Sequence, residues 1–331
     1  MPEMRRDPLI GRWVIIDGSR FKGLEDFPRE ENTPSRQAIC PFCPGREDQT
    51  PNEVDAVRPF KTPPDTPGWL VRTVPNKFPV LSPEGAIQKD GYGIYDQMTG
   101  IGAHEILIEG PDHEKTVTEL SKEEMQAVIS QYQSRYRQLS SDSRVKYVTI
   151  FKNFGASAGA TVEHGHSQII ALPMVPKTVL EELKGAEDYY QYRGRCVFCD
   201  MIAQEYQDKE RIIDENNSFL AFCSFVPRYA FETWIVPKAH GADFSTIEKV
   251  MQDQLAQILQ SVLQKIRKVL SNPSYNYYLH TAPTGYGHGE SYHWHIEIIP
   301  KLTRSVGFEW ATGLHIVPTF PQDAARYLRE S

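Results

Sequence analysis

No stretch of the chain comes near the roughly twenty consecutive apolar residues that cross a bilayer, so no membrane partner is expected. Positive charge is not in excess: 36 Lys and Arg stand against 43 Asp and Glu, a formal net charge of −7. A chain of that sign is ill suited to gripping a nucleic-acid backbone, although a local basic pocket for one phosphate is compatible with it. The opening Met1-Pro2-Glu3-Met4-Arg5-Arg6 lacks secretory character and is followed only by the short apolar run at 13–16, so a cytoplasmic location is expected. Glycine and proline, at 22 and 24 residues, show neither the abundance nor the period of collagenous or low-complexity chains. What is there, 331 residues of which 40% are hydrophobic, suffices for two ordinary domains or one large core.

Cysteine is scarce, with five residues, yet four of them fall in two C-x-x-C pairs, Cys40-Pro41-Phe42-Cys43 and Cys196-Val197-Phe198-Cys199. Without a secretory signal, such pairs read as metal or redox chemistry before they read as disulfides. The fifth, Cys223, lies in an apolar run and is expected in the core.

The surroundings of the two pairs repeat. Each is followed by a strand-like run ending in a histidine: Ile106-Leu107-Ile108-Glu109-Gly110-Pro111-Asp112-His113, and Trp234-Ile235-Val236-Pro237-Lys238-Ala239-His240. Each histidine leads to an expected capping box, Ser121 with Glu124 and Ser245 with Glu248. An apolar stripe at helical spacing follows in both places, Met125 to Leu139 and Met251 to Ile266. After the helix comes a β-branched and aromatic run, then a histidine-rich strand, His164-Gly165-His166-Ser167-Gln168 or His293-Trp294-His295-Ile296-Glu297. His113 and His164 are nearly as far apart as His240 and His293. The pattern predicts an internal duplication, divided as residues 1–185 and 186–331 in the charged stretch that follows position 183.

Two cysteines at i and i+3 can aim both sulfurs at one point, and two histidines from distant strands complete a tetrahedral set. Cys40, Cys43, His113 and His164 form the first candidate site; Cys196, Cys199, His240 and His293 form the second. The expectation is two zinc ions per chain, both structural because protein ligands fill every position. A redox dithiol predicts no matched histidines. On the strand, His166 and Gln168 share a face with His164. The upstream loop, with Asn153, Gly155 and Ser157, is rich in small residues and backbone donors that suit phosphate oxygens. An imidazole facing a phosphate can attack phosphorus and hold the transferred group covalently.

Over nearly its whole length the chain resembles the galactose-1-phosphate uridylyltransferase family, a branch of the histidine-triad superfamily. The resemblance is carried by residues 6–16, Cys40 and Cys43, Asn76-Lys77-Phe78-Pro79, Gly110-Pro111-Asp112-His113, Asn153 with its loop, and His164-Gly165-His166-Ser167-Gln168. Gly165 replaces the usual proline. The resemblance implies an α+β fold of two fused histidine-triad-like halves with mostly antiparallel sheets and packed helices, and a homodimer. It makes His166 the nucleophile, Gln168 a phosphate contact, Asn76 and Phe78 nucleoside contacts, Arg20 a diphosphate contact, and Phe308 with Glu309 hexose contacts. The expected reaction moves UMP from a sugar nucleotide to a hexose 1-phosphate. The alternative is the ADP-glucose phosphorylase-type branch, with AMP and inorganic phosphate, which the segment 307–313 and the second Cys₂His₂ set resemble more. A zinc-dependent nucleic-acid-binding protein fits the cysteine pairs but neither the charge nor the mirrored motif. Glu297, where Gln168 has its counterpart, would repel a phosphate, so the second copy is expected to be catalytically silent.

Overall fold

The computed structural model describes residues 1–20, 23–27 and 40–331; the side chain of Arg20 lies outside the described residues, so its expected phosphate contact stays an expectation. The first half runs β1 (Glu3–Arg6), β2 (Trp13–Ile16), β3 (Asp55–Val57), β4 (Val71–Pro75), β5 (Lys89–Tyr92), β6 (Tyr95–Met98), β7 (Ala103–Ile108), α1 (Lys122–Ser140), β8 (Tyr147–Phe154) and β9 (His166–Leu172). Two helices follow, α2 (Lys177–Arg193) and α3 (Val197–Asp208). The second half continues with β10 (Ile212–Glu215), β11 (Phe219–Cys223), β12 (Thr233–Pro237), α4 (Lys249–Val269), β13 (Tyr275–His280) and β14 (His295–Pro300). The chain closes with α5 (Gly307–Thr312), β15 (His315–Val317) and α6 (Pro321–Arg329).

Ten strands form one sheet in the order β10-β11-β12-β14-β13-β8-β9-β7-β4-β3. Every neighbouring pair in it is antiparallel. The order is the same read outward from the centre in either direction, and the halves join where β8 pairs with β13, Asn153 opposite Asn276. The α+β class and the duplication thus take the form of a single continuous sheet. The charged stretch after residue 183 is helical, lying within α2.

Each half packs one long helix on the same core. Met125, Val128, Ile129, Tyr132 and Tyr136 of α1 are buried, as are Leu255, Ile258, Leu259, Val262 and Ile266 of α4. Burying a side chain of this size contributes roughly 1.5–3 kcal/mol, which is what holds such helices to a sheet. Ser121 caps α1 and Glu124 reaches back to its backbone, as the motif predicts. The matching box in the second half does not form. Asp243 captures the Ser245 backbone N–H at 2.7 Å and its hydroxyl at 2.8 Å, holding residues 244–246 in a separate 3-10 turn, and α4 starts only at Lys249. Cys223 is buried in β11, where burial pushes its thiol up to about 12.

Candidate functional site

Both cysteine pairs meet their histidines. In the first half, His164 Nδ1 lies 3.7 Å from Cys40 Sγ and 3.6 Å from Cys43 Sγ, and His113 Nδ1 lies 3.5 Å from Cys43 Sγ. In the second, His240 Nδ1 and His293 Nδ1 lie 3.5 and 3.8 Å from Cys199 Sγ. Zinc–sulfur and zinc–nitrogen bonds of roughly 2.3 and 2.1 Å at the tetrahedral angle place S and N about 3.6 Å apart, so the donor sets fit the ion. All the nitrogens facing sulfur are Nδ1. The opposite nitrogens of His164 and His240 lie 2.8 and 2.9 Å from the carbonyls of Gly110 and Gly289, which orients each ring. Burial and the neighbouring Cys40 raise the Cys43 thiol to about 11, so two thiolates side by side call for a cation.

Two residues past the last ligand of the first set, β9 opens with His166, which is buried. Its Nδ1 lies 2.8 Å from the His164 carbonyl, and a neutral ring donating there keeps the lone pair on Nε2. Burial, then the Lys152 ammonium, hold the imidazole below its ordinary pKa. Phe42, from within the first cysteine pair, packs edge-on against the His166 ring at 5.5 Å. Gln168 lies two residues on, and its Oε1 is 2.8 Å from His104 Nε2. His104 in turn lies beside Asn76, whose Nδ2 is 3.1 Å from His104 Nε2 and whose Oδ1 accepts from the Phe78 backbone N–H at 2.9 Å. Asn76, His104 and Gln168 therefore form one polar chain beside His166.

Asn153 joins from the other side. Asn276 donates to its Oδ1 at 2.8 Å and to the Ala158 carbonyl at 2.9 Å, tying the loop of Gly155 and Ser157 to β13. Gly155 and Gly159 take φ of 81° and 88°, a backbone region glycine enters without strain, and they turn the loop back over the strand ends. Phe78 is exposed. Phe308 and Glu309 lie on α5, where the Glu309 carboxylate accepts from the backbone N–H groups of Val306 at 2.6 Å and Ile316 at 3.4 Å.

Sequence reasoning passed over what lies behind β9. Lys152 Nζ donates to Glu109 Oε2 at 2.5 Å and to the His166 carbonyl at 3.0 Å, and Ser167 donates to Glu109 Oε1 at 2.5 Å. All three are buried. A lysine inside one apolar strand and a glutamate directly after another were the available signal, since such charges are buried only when paired. His104 and Asn276 gave no comparable signal: each is one polar residue among others on its strand.

The second half repeats the frame with different contents. Gln168 stands opposite Phe151 and Ile106; Glu297 stands opposite Tyr278 and Trp234. Glu297 is buried and bonded to Arg228 and, at 2.6 Å, to Tyr278. Burial opposes its ionisation, yet Arg228, His295 and His280 together hold it well below the usual carboxylate range. His280 Nδ1 lies 2.8 Å from Glu182, and Trp234 stacks on the His295 ring at 4.7 Å. The space beside His295 is filled by the chain's own ion pairs and rings.

A duplicated antiparallel sheet with twin Cys₂His₂ sets and one His-x-His-x-Gln motif running into a strand defines a class of nucleotidyltransferase architecture, and the comparisons give it a name. The model of the galactose-1-phosphate uridyl transferase N-terminal domain matches residues 1–176, and that of its C-terminal domain matches residues 182–326. The chain belongs to the galactose-1-phosphate uridyl transferase family. It is 36% identical over 335 residues to the ADP-glucose phosphorylase of Arabidopsis thaliana, covering 99% of this chain and 93% of that one. It is 27% identical over 340 residues to the galactose-1-phosphate uridylyltransferase of Thermotoga maritima, covering 100% and 99%. The crystal structure of an Arabidopsis thaliana ADP-glucose phosphorylase with bound ADP-glucose superposes with a TM-score of 0.84 at 34% identity, covering 100% and 99%.

Proposed function

We propose that the chain transfers a nucleoside monophosphate from a sugar nucleotide to a phosphate-bearing acceptor through His166, with Gln168 beside it. The observation that carries this reading is the hydrogen bond between His166 Nδ1 and the His164 carbonyl, which leaves the lone pair of the neutral ring on Nε2, with Gln168 two residues along the same strand. In the first displacement, Nε2 attacks the phosphorus attached to the nucleoside; the phosphoanhydride P–O bond breaks and the hexose 1-phosphate leaves as an anion. The positive charge on the ring is shared with the His164 carbonyl. In the second, an acceptor phosphate oxygen attacks the same phosphorus and the P–N bond breaks, restoring neutral His166. The Gln168 amide and the loop of Asn153, Gly155 and Ser157 supply the donors that a phosphoryl centre requires. Asn76 and Phe78 hold the nucleoside, Arg20 the diphosphate, and Phe308 with Glu309 the hexose.

Two zinc ions per chain, one in each Cys₂His₂ set, act structurally, pinning each cysteine turn to its strand end. Elemental analysis of protein prepared without chelators should find two zinc ions; one or none would remove the duplicated-site reading. The halves, 1–185 and 186–331, act as an active copy and a scaffold, in a cytoplasmic homodimer that uses neither membrane nor nucleic acid.

For the donor, the relative at 36% identity favours ADP-glucose, with inorganic phosphate as acceptor. The uridylyltransferase relative at 27% supports the second reading, a UDP-hexose with hexose 1-phosphate. Offering each donor with each acceptor separates them. ADP formed from ADP-glucose and phosphate supports the first, and UDP-galactose formed from UDP-glucose and galactose 1-phosphate supports the second.

A further inference from the structure

The duplication extends past the strands into the turns that the first half uses around its nucleoside segment. Asn76 donates its backbone N–H to the His104 carbonyl at 2.8 Å, and Ser224 donates to the Glu232 carbonyl at 3.2 Å. The Phe78 backbone N–H donates to the Asn76 side chain at 2.9 Å, and the Val226 N–H donates to the Ser224 hydroxyl at 3.3 Å. Ser224-Phe225-Val226 is therefore the second copy of Asn76-Lys77-Phe78.

That second copy borders a cavity. Its volume is about 300 Å³, and its lining includes Met201, Glu205, Ser224, Phe225, Val226 and Trp234. Such a volume is at the small end of the range in which compact ligands are held. Glu205 is 4% exposed; its Oε1 accepts from Arg211 at 3.0 Å, while its Oε2 has no hydrogen-bond partner. A buried acceptor left unpaired costs free energy that a ligand donor would recover.

We propose that this cavity binds a neutral nucleoside, its flat base between the thioether and aromatic walls and a base N–H donating to Glu205. The idea rests in part on the nucleoside role given to Asn76 and Phe78 in the proposed function. A nucleotide does not fit the same account. Where Ile106 stands opposite Gln168 in the first half, Trp234 stands opposite Glu297 and stacks on His295, closing the route from cavity to histidine. Beyond it Arg228 is already paired with Glu297 and Glu232, so it offers a phosphate no free cation. The ligand thus occupies the second half without reacting, a binding site separate from the His166 chemistry.

The test measures binding of radiolabelled adenosine and uridine, and of AMP, by equilibrium dialysis to the full chain with its metals. Met201→Trp fills the cavity, and Glu205→Leu removes the acceptor while keeping the bulk. The expected result is that at least one nucleoside binds wild type with a site that Met201→Trp abolishes and Glu205→Leu weakens tenfold or more, and that AMP competes poorly there. Labelling of His166 by the sugar nucleotide should be unchanged in both variants, which also reports that they fold. Nucleoside binding that neither variant alters, or no nucleoside binding at all, would overturn the proposal. Loss of His166 labelling in wild type with the nucleoside site intact would instead overturn the transfer reaction and leave this site standing.

Discussion

The strands β9 and β14 occupy equivalent places in one sheet, each begins at the second histidine of a His-x-His pattern, and they face different surroundings. Around His166 the neighbours are a neutral amide, an isoleucine opposite it and the edge of Phe42. Around His295 they are a carboxylate, a tryptophan and an arginine, which fill the room and satisfy one another. Behind the strands the contrast reverses. The first half buries the Lys152–Glu109 ion pair against the His166 carbonyl, whereas the equivalent places in the second half are Leu279, Pro237 and Ile296. The difference teaches where each copy places its polar groups. The first copy buries charge behind the strand and keeps a neutral amide in front; the second copy packs grease behind and charge in front.

The largest effect should come from the two histidines themselves. Incubation with labelled sugar nucleotide without acceptor is expected to leave an acid-labile, base-stable label on the wild type. His166→Gly should abolish it, and His295→Ala should spare it. Glu297→Gln, which copies the first half at one position, should not create a label on His295, because Trp234 still covers the ring. A label that follows His295 would reverse the assignment of the two copies.

Next in size is the buried pair. Lys152→Met leaves the Glu109 carboxylate buried without its cation, and urea unfolding should show a loss of about 3–5 kcal/mol. The volume-conserving Leu279→Met at the equivalent position should cost under about 1.5 kcal/mol. Equal losses would mean that the backs of the two strands are energetically alike after all.

The smallest effect tests the helix starts. Ser121→Ala removes a side-chain cap and should cost about 1 kcal/mol. Ser245→Ala should cost less, since Asp243 rather than Ser245 organises the turn before α4. A larger loss at Ser245 than at Ser121 would show that the capping motif works in the second half despite the later helix start.

Much of the molecule was legible from residue order. The periodic apolar stripes identified α1 and α4 because a buried helical face requires that spacing whatever it packs against. The two C-x-x-C pairs and their histidines anticipated the two clusters that the fold brings together and that could hold a metal, since metal chemistry restricts residue type so narrowly. The shared face of His166 and Gln168 followed from strand alternation, and their expected roles from the family resemblance. The capping box at Ser245 misled because Asp243, two residues earlier, competes for the same backbone donor, and only geometry ranks the two.

By itself, then, the sequence determined those features that depend on near neighbours or on strict chemistry: helix faces, alternating strands, the duplicated cysteines and histidines, and the family to which the motifs point. Tertiary structure decided what depends on which distant edges meet. The β8–β13 pairing merges two copies into one sheet and brings Asn276 against Asn153. The Lys152–Glu109 pair, the chain from Asn76 through His104 to Gln168, and the Trp234 cover over His295 all join residues from different strands. Their partners are set by sheet register, and register is settled only when a whole face is buried at once.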